Sequence, residues 1–307
     1  MNISEKFEKG FENHTYQRID SHYKTDIFLG YNDNGRMSMV ITENGKIEPI
    51  SSSKFIEVQL NRRADNKLAL SFDLIDSSYA SMFLLFCKDI IVLCESVGKE
   101  LVISNALLRW KYWKELFGKK SSSQLNKQEI KGLIGELYCL KNYMIPKYGC
   151  LNAVKSWMGP MLGHKDFEIY KTWFEIKTVS DGATQFSVSS LEQLESNDTG
   201  HLIIVRSDET SEKNDRAYNL NSMVLSIIDM MEGQECLDEF QSKLENLGYY
   251  AIPEYDNYNY VFKGFETYTV NNNFPAIRRK EISNAIGNAQ YTIIISKLSE
   301  FKEELSI

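Results

Sequence analysis

Residues 164–178 read His-Lys-Asp-Phe-Glu-Ile-Tyr-Lys-Thr-Trp-Phe-Glu-Ile-Lys-Thr, and charged and apolar side chains alternate along them. Successive side chains of a β-strand point to opposite faces of the sheet, so this alternation predicts an antiparallel hairpin. Lys-Thr at 171–172 is the expected two-residue turn, although it is a poor type I′ sequence. The charged residues then share one face in two opposed pairs: Asp166 with Lys177, and Glu168 with Glu175.

A charged face of this kind can support metal-dependent chemistry. Directly opposed residues of a hairpin have Cβ atoms about 4.5–5.5 Å apart. Two carboxylates and an ammonium within that distance can hold a hard divalent cation and polarise a water molecule beside it. A half-buried hairpin with a solvated charged face accounts for the same alternation equally well.

The segment before the hairpin, residues 126–144, carries apolar residues at helical spacing and predicts a helix. Glu136 falls at the edge of its buried face, about 120° from the centre of the apolar stripe. Gly132 and Gly135 lie inside this helix, where a glycine costs about 1 kcal/mol relative to alanine. Two glycines so close together indicate that another part of the chain approaches the helix there. An ordinary boundary glutamate is the alternative interpretation of Glu136.

Five short motifs together resemble those of the PD-(D/E)XK nuclease superfamily: Gly-Leu-Ile-Gly-Glu-Leu-Tyr at 132–138, Trp-Met-Gly-Pro at 157–160, Asp-Phe at 166–167, Phe-Glu-Ile-Lys-Thr at 174–178, and Val-Ser-Ser-Leu-Glu-Gln-Leu at 188–194. More narrowly, the chain is similar to the uncharacterised PD-(D/E)XK motif proteins of bacterial restriction and phage-defence operons. The resemblance is strong over residues 125–205 and weaker over the C-terminal third, and it hardly touches the first hundred residues. Lys165 stands where the superfamily motif has its proline.

The resemblance implies a set of site residues. Glu136 matches the helical acid of the superfamily, Asp166 the aspartate of its first motif, and Glu175 and Lys177 the acid and lysine of its second. On that basis Asp166, Glu175 and Glu136 would bind Mg²⁺, for which Mn²⁺ can substitute. Lys177 would orient the attacking water or stabilise the developing charge. Gln193 matches a polar position near the active site and is a weak candidate for nucleic-acid contact, against the alternative of a surface glutamine.

The resemblance also implies a fold and an activity. The order of helix, strands, helix and strand predicts an α/β (α+β) fold with a mixed central sheet flanked by helices, which is the restriction-endonuclease-like core. The implied activity is Mg²⁺-dependent cleavage of double-stranded DNA by an endonuclease of a bacterial restriction or phage-defence system. Such a protein would act as a homodimer or with other subunits of the operon. A non-catalytic DNA-binding or scaffolding module with the same fold is the alternative, and an RNA substrate is a further one.

Composition narrows the class of protein. The 307 residues carry a formal net charge of −7, which argues against binding nucleic acid through bulk charge. Five cysteines and four histidines form neither a C-x-x-C pair nor a zinc spacing. The first nine residues lack the apolar core of a secretory signal, and the longest apolar stretch, residues 82–94, is too short to span a bilayer. A cytoplasmic protein is therefore expected.

One segment departs from the acidic average. Residues 109–120 contain five basic residues and one acid, and aromatic residues are interleaved with the bases. This combination is found on surfaces that meet phosphates and bases. Arg109, Lys111 and Lys114 are therefore weak candidates for DNA contact. The alternative is an amphipathic helix with a solvated basic face.

The chain is expected to form two domains. Residues 1–118 predict a β-rich N-terminal domain with two helices, at 78–97 and 105–117, for contact with a partner or DNA. The Lys- and Ser-rich segment 118–124 is the best linker candidate. Residues 125–307 form the predicted nuclease-like domain.

Turn residues predict one further feature of the N-terminal domain. Asn44-Gly45 is a favourable two-residue turn, so a hairpin is expected between strands at 37–42 and 47–50.

Overall fold

A computed structural model describes the chain at residues 3, 6, 7, 15–19, 24–47, 49–118, 124–161, 163–196 and 198–304. The chain forms two compact units. The first unit contains three segments: Met1–Gln124, Leu225–Leu237 and Tyr250–Glu254. The second unit contains the other three: Leu125–Val224, Asp238–Tyr249 and Tyr255–Ile307. The predicted linker at 118–124 lies largely outside the described residues.

The first unit is built on an antiparallel sheet. Its strands are β1 (Gln17–Arg18), β2 (Asp26–Tyr31), β3 (Met37–Glu43), β4 (Ile56–Arg62) and β5 (Leu68–Leu74), in the spatial order β1-β2-β3-β5-β4. Gly35 (φ 69°) and Asn66 (φ 65°) lie in the turns of the β2–β3 and β4–β5 hairpins. Glycine and asparagine tolerate this left-handed backbone, which suits them to these two turns.

The predicted hairpin around Asn44-Gly45 is wrong. Strand β3 pairs with β2 and β5, and the described residues among 44–55 form no strand. Pro49 has no backbone N–H to give to a ladder. A Cβ on Gly45 would lie 3.3 Å from Leu68 Cδ1, so this glycine is suited to close packing rather than to a hairpin turn.

Two helices complete the described core of this unit: α1 (Ala80–Ser96) and α2 (Val102–Gly118). Both confirm the predicted helices within a few residues. Phe72 of β5 contacts Phe86 of α1 edge to face at a centroid distance of 4.9 Å, and Trp110 of α2 lies 5.8 Å from Phe72. These buried rings tie the helices to the sheet.

Residues Ser77–Ser96 are long and apolar enough to cross a membrane by length and composition alone, with mean hydropathy 1.5. However, 61% of that window is buried within the protein, and core helices of soluble proteins pass the same test. Two buried charges inside the helix are paired, Lys88 with Asp229 at 3.2 Å and Asp89 with Arg109 at 2.6 Å. Among the described residues, this helix therefore gives little support for a membrane span.

The helices of the second unit are α3 (Lys127–Cys139), α4 (Ile145–Tyr148), α5 (Cys150–Ser156), α6 (Leu220–Ile228) and α7 (Gly233–Asn246), the last two of which extend into segments of the first unit. A π-helical turn, Leu140–Met144, joins α3 to α4. The start of α3 is well defined: Asn126 accepts from the backbone N–H of Glu129, and the Glu129 side chain accepts from that of Asn126. This capping box satisfies N–H groups that the helix itself leaves free.

The strands of the second unit are β6 (Phe167–Ile169), β7 (Thr172–Val179), β8 (Gln185–Val188), β9 (Gly200–Glu209), β10 (Ala217–Tyr218), β11 (Tyr260–Val270), β12 (Tyr291–Ile294) and β13 (Lys302–Glu303). The main sheet has the order β10-β11-β9-β7-β6, with β13 beside β11, while β8 and β12 pair separately. Strands β7 and β9 are parallel and the other pairs antiparallel. The predicted α/β fold with a mixed sheet is therefore confirmed.

An apolar core holds the middle strands of this sheet in place. Trp173, Leu202, Ile204 and Tyr268 belong to one buried cluster, to which β8 and β12 also contribute. A Cβ on Gly200 would lie 2.0 Å from the Trp173 ring, so only glycine allows β9 to pass at this point. Strand β7 is thereby a firm support for the side chains that it presents.

The hairpin at 164–178 forms, but its predicted register is wrong by two residues. The observed pairs are Phe167 with Phe174, Glu168 with Trp173 and Ile169 with Thr172, so the turn lies at residues 170–171. Threonine suits a strand better than a turn, and Tyr170 takes the left-handed conformation (φ 56°) with its side chain 83% exposed. A shift of two residues keeps every side chain on its predicted face.

The corrected register changes which charges oppose one another. The ladder between β6 and β7 begins at Phe167, so Asp166 lies just before it, and its backbone N–H donates to the carbonyl of Phe174. The predicted pairing of Asp166 with Lys177 is therefore wrong, although the Asp166 charge is near enough to raise the pKa of Glu175. Glu168 is exposed and opposes Trp173 instead of Glu175.

Candidate active site

A cleft of about 460 Å³ in the second unit is lined by all five site residues predicted there: Glu136, Asp166, Glu175, Lys177 and Gln193. Helix α3 supplies the first, the start of the hairpin the second, β7 the next two, and the 3₁₀ turn Leu191–Gln193 the last. Residues separated by up to 57 positions in the sequence thus face one another across one opening.

Asp166 is held by the strand it faces. Its backbone N–H donates to the carbonyl of Phe174 at 3.1 Å, and the backbone N–H of Ile176 donates to its Oδ2 at 2.6 Å. No hydrogen-bond donor to its Oδ1 is present among the described residues. Burial raises the pKa of Asp166, although the Ile176 N–H and the nearby Lys177 charge act in the opposite direction. The Asp166 carboxylate is therefore fixed in orientation through Oδ2, while its Oδ1 has no donor among the described residues.

Glu175 and Lys177 form a buried ion pair. Glu175 is 2% exposed, and its Oε1 lies 2.8 Å from Lys177 Nζ. Burial, and then the neighbouring Asp166 charge, raise the pKa of Glu175 and Lys177 partly offsets both, so that the pKa is raised to about 8. Because two acids share one lysine, additional positive charge at this position would favour both carboxylates in their ionised form.

Glu136 reaches the cleft from the half-buried edge of α3. Its Oε2 accepts a hydrogen bond from Trp157 Nε1 at 2.7 Å. Burial raises the pKa of Glu136 well above its usual range, the Asp166 charge adds to this effect, and the Trp157 bond opposes it. A Cβ on Gly159 would lie 2.8 Å from Glu136 Oε2, so the glycine leaves room for the carboxylate.

The two glycines of α3 have different surroundings. A Cβ on Gly135 would lie 1.7 Å from Thr178 Oγ1, which explains how closely α3 approaches β7 and confirms the predicted close approach there. No described atom lies within 4 Å of the Cβ position at Gly132. The predicted close approach of another segment is therefore not seen at Gly132 within the described chain.

Gln193 contacts the site lysine directly. Lys177 Nζ donates to Gln193 Oε1 at 2.9 Å, and the backbone N–H of Ser189 donates to the same oxygen at 2.9 Å. Lys177 Nζ is therefore held by both the Gln193 amide and the Glu175 carboxylate. The side chain of Ser190, the N-cap residue of this short turn, makes no capping hydrogen bond.

Lys165, at the position of the motif proline, has a structural task that the sequence did not reveal. Its Nζ donates to the carbonyls of Glu192, Gln193 and Glu195 at 2.6, 2.8 and 3.1 Å. The ammonium also lies 3.8 Å from the centroid of the Trp173 ring, and the residue is 6% exposed. Lys165 thus anchors the turn that carries Gln193.

Lys243 of α7 plays a comparable part behind Glu136. Its Nζ donates to the carbonyls of Val154, Lys155 and Trp157 at 2.9, 2.9 and 2.6 Å, at the end of α5. A cation there satisfies carbonyls that the helix leaves unpaired. Because Trp157 binds Glu136, Lys243 supports the site indirectly. The carbonyls that Lys243 binds are 86 to 89 residues away along the chain, so nothing in the sequence indicated this role.

The weak DNA-contact candidates of the first unit differ from one another. Arg109 makes a bidentate salt bridge with fully buried Asp89, at 2.6 and 2.8 Å. Lys114 Nζ donates to Ser51 Oγ at 2.7 Å, and Lys111 is exposed. The Asp89 pair accounts for Arg109 as a structural residue, and DNA contact by the three bases stays a prediction.

The donor set suits a hard cation. In the part of the chain that the structure describes, no three acidic, histidine or cysteine side chains already converge on one point. Mg²⁺ commonly takes only one or two carboxylates, together with waters and substrate phosphate oxygens. Asp166 and Glu175, which line one cleft beside Lys177, fit that requirement, with Glu136 near them.

A mixed sheet with flanking helices that brings Asp166, Glu175, Lys177 and a helical glutamate together defines a nuclease-like α/β core. A family model described as "Putative PD-(D/E)XK family member, (DUF4420)" matches residues 3–296, so the chain belongs to that family. The match also includes the N-terminal residues, which the motifs of the sequence did not reach. No curated protein and no solved structure shows significant similarity to the chain.

Proposed function

We propose that this protein is a divalent-metal-dependent endonuclease that hydrolyses phosphodiester bonds of double-stranded DNA. The observation that carries the proposal is the convergence of Asp166 and Glu175 beside Lys177 in one open cleft. An acid pair that exists only for stability would be expected to have its charges fully matched, whereas here, among the described residues, Glu175 has an ion pair with a lysine and Asp166 has none.

The proposed roles follow from the contacts. Asp166 and Glu175 would hold Mg²⁺ or Mn²⁺, with Glu136 contributing directly or through a water. Once bound, the ion would supply a polarised water and neutralise charge on the scissile phosphate. Lys177, a compact point charge held between Glu175 and Gln193, would stabilise the developing negative charge or orient the attacking water.

The biological setting is proposed from family membership. We propose a cytoplasmic component of a bacterial restriction or phage-defence system, acting as a homodimer or with other subunits. The alternative is a non-catalytic DNA-binding or scaffolding module. One observation favours that alternative: Lys177 already lies 2.8 Å from Glu175 and gives this acid a partner without any ion.

Cleavage assays on the purified full chain test the proposal. DNA and RNA substrates are incubated with Mg²⁺ or Mn²⁺, and in EDTA. Wild type should cut DNA only with the metal, and Asp166→Asn and Lys177→Ala should each reduce the rate at least about 10²-fold, the scale of losing one charge-stabilising group. Glu168→Gln is the matched control, since it removes an exposed acid of the same hairpin outside the cleft and should leave the rate unchanged. Cutting at the wild-type rate by both site variants would refute the assignment, and metal-dependent cutting of RNA alone would change the substrate.

A further inference from the structure

Gly132 occupies a position that the packing of the described chain does not explain. It lies inside α3, where glycine lowers helix stability relative to alanine. No described atom would touch a Cβ at this residue, whereas Gly135, one turn further along, is required by Thr178. Gly132 also lines the cleft that contains the site acids. A glycine that no described neighbour requires, on the wall of a cleft, points to a ligand that approaches there.

We propose that the sugar-phosphate backbone of the scissile DNA strand passes directly against α3 at Gly132, and that this glycine determines access of the substrate to the site. The inference rests on the proposed nuclease function and extends it, because it assigns the path of the strand beyond the scissile phosphate.

The helix geometry supports this path. Gln128, Gly132 and Glu136 are spaced at i, i+4 and i+8, so they lie on one face of α3 and all line the cleft. Four residues of helix rise correspond to about 6 Å. A phosphate bound beside Glu136 therefore places the neighbouring part of the strand over Gly132, and then near Gln128.

The walls of the cleft have the chemistry that a phosphodiester backbone requires. Lys131 and the exposed Gln128 stand on the α3 side. Exposed Gln185, Ser187 and Ser189 stand on the opposite side, along and after β8. These side chains can donate hydrogen bonds to phosphate oxygens, and none of them is acidic. The acids that line the cleft are Glu136, Asp166 and Glu175, and a bound divalent ion would offset their negative charge.

Stability and DNA binding should change in opposite directions when Gly132 is replaced. Gly132→Ala should raise the melting temperature by about 1–3 °C, because alanine favours the helix and meets no described atom. It should also weaken binding of a short fluorescein-labelled DNA duplex, measured by anisotropy in a Lys177→Ala background, by about tenfold. Gly132→Gln, a longer good helix former, should weaken binding further.

Two controls accompany these variants. Asn152→Ala raises helix propensity on an exposed residue of α5 outside the cleft, and should leave DNA affinity unchanged. Gly135→Ala should lower the melting temperature, because its Cβ would overlap Thr178 Oγ1.

Each outcome decides a specific claim. If Gly132→Ala binds DNA as tightly as the parent, the inference is overturned while the cleavage result stands. A lower melting temperature for Gly132→Ala also overturns it, because the chain itself would then need the space. If the parent binds no DNA and wild type cleaves none, the inference and the proposed function both fail. If wild type never cleaves but Gly132→Ala weakens binding, the strand path is supported and catalysis is not.

Discussion

Asp166 accepts a hydrogen bond from the backbone N–H of Ile176 at 2.6 Å, which fixes the first acid of the site to the strand that presents the second acid and the lysine. Ile176 lies between Glu175 and Lys177, so one backbone donor sets the position of Asp166 relative to both. The three functional groups are therefore aligned by the hairpin itself before any ion or substrate binds.

The two neighbouring acids Asp166 and Glu175 lead to a prediction about the melting temperature of the metal-free protein. In EDTA, Asp166→Asn should melt at or above the wild-type temperature, because it removes one of two neighbouring acids. Mn²⁺ at a hundred times its dissociation constant should stabilise wild type by about 2.7 kcal/mol, and the variant far less. Four melting curves, for both proteins with and without Mn²⁺, measure this. An absent shift in wild type at millimolar Mn²⁺ would favour the binding module, or a site completed by DNA or a partner.

The same melting experiment has a pH dependence. The folded-state pKa of Glu175 is raised to about 8, above its ordinary value near 4.3, so folding favours the protonated acid. Its stabilising contribution is therefore fully present below about pH 4 and is lost as the pH rises through about 8. In EDTA, wild type should lose stability relative to Glu175→Gln between pH 5 and 8. A constant difference across that range would show that Glu175 is ionised throughout.

Lys165 is predicted to support Lys177 through Gln193. Lys165→Met keeps the length of the side chain but leaves three carbonyls without their donor, which should cost about 1–3 kcal/mol of unfolding free energy. Cleavage should also slow, with the larger effect on kcat than on KM, and Lys165→Arg should restore part of it. Lys171→Met, at an exposed lysine of the same hairpin, is the control. A loss of stability with unchanged kcat would limit Lys165 to a structural role.

Trp157 is predicted to set the metal requirement through Glu136. Trp157→Phe removes the donor to Glu136 Oε2, so the pKa of Glu136 should rise and the ionised form should become scarcer. The Mn²⁺ concentration for half-maximal cleavage should increase about tenfold. Trp173→Phe is the matched control, since it also shortens a buried tryptophan and removes an indole bond, to the Asp198 carbonyl, away from Glu136. Equal shifts in both variants would contradict a specific role for Trp157.

The linker prediction concerns the boundary between the expected domains. Limited proteolysis should cut first within 118–124, because a Lys- and Ser-rich segment between helices is a favourable protease site. Mass spectrometry of the first fragments identifies the cut. Early cleavage elsewhere, with 118–124 resistant, would move the boundary.

The sequence by itself determined which faces of the hairpin are charged, where α3 begins and which side chains were candidates for the site. These properties depend on local chemistry: strand side chains alternate with a period of two, and Asn126 with Glu129 forms a cap within one turn. The turns at Gly35 and Asn66 were predictable for the same reason, because few residues adopt a left-handed backbone.

Only the tertiary structure decided the register of the hairpin and the surroundings of the acids. Alternation is unchanged by a shift of two residues, so it could not distinguish the predicted pair Glu168–Glu175 from the observed pair Glu168–Trp173. Lys165 and Lys243 bind backbone carbonyls 27 to 30 and 86 to 89 residues away, and a carbonyl has no side-chain identity that a sequence could display. The charged groups were visible in the sequence, but their desolvation and their partners follow from packing between distant segments.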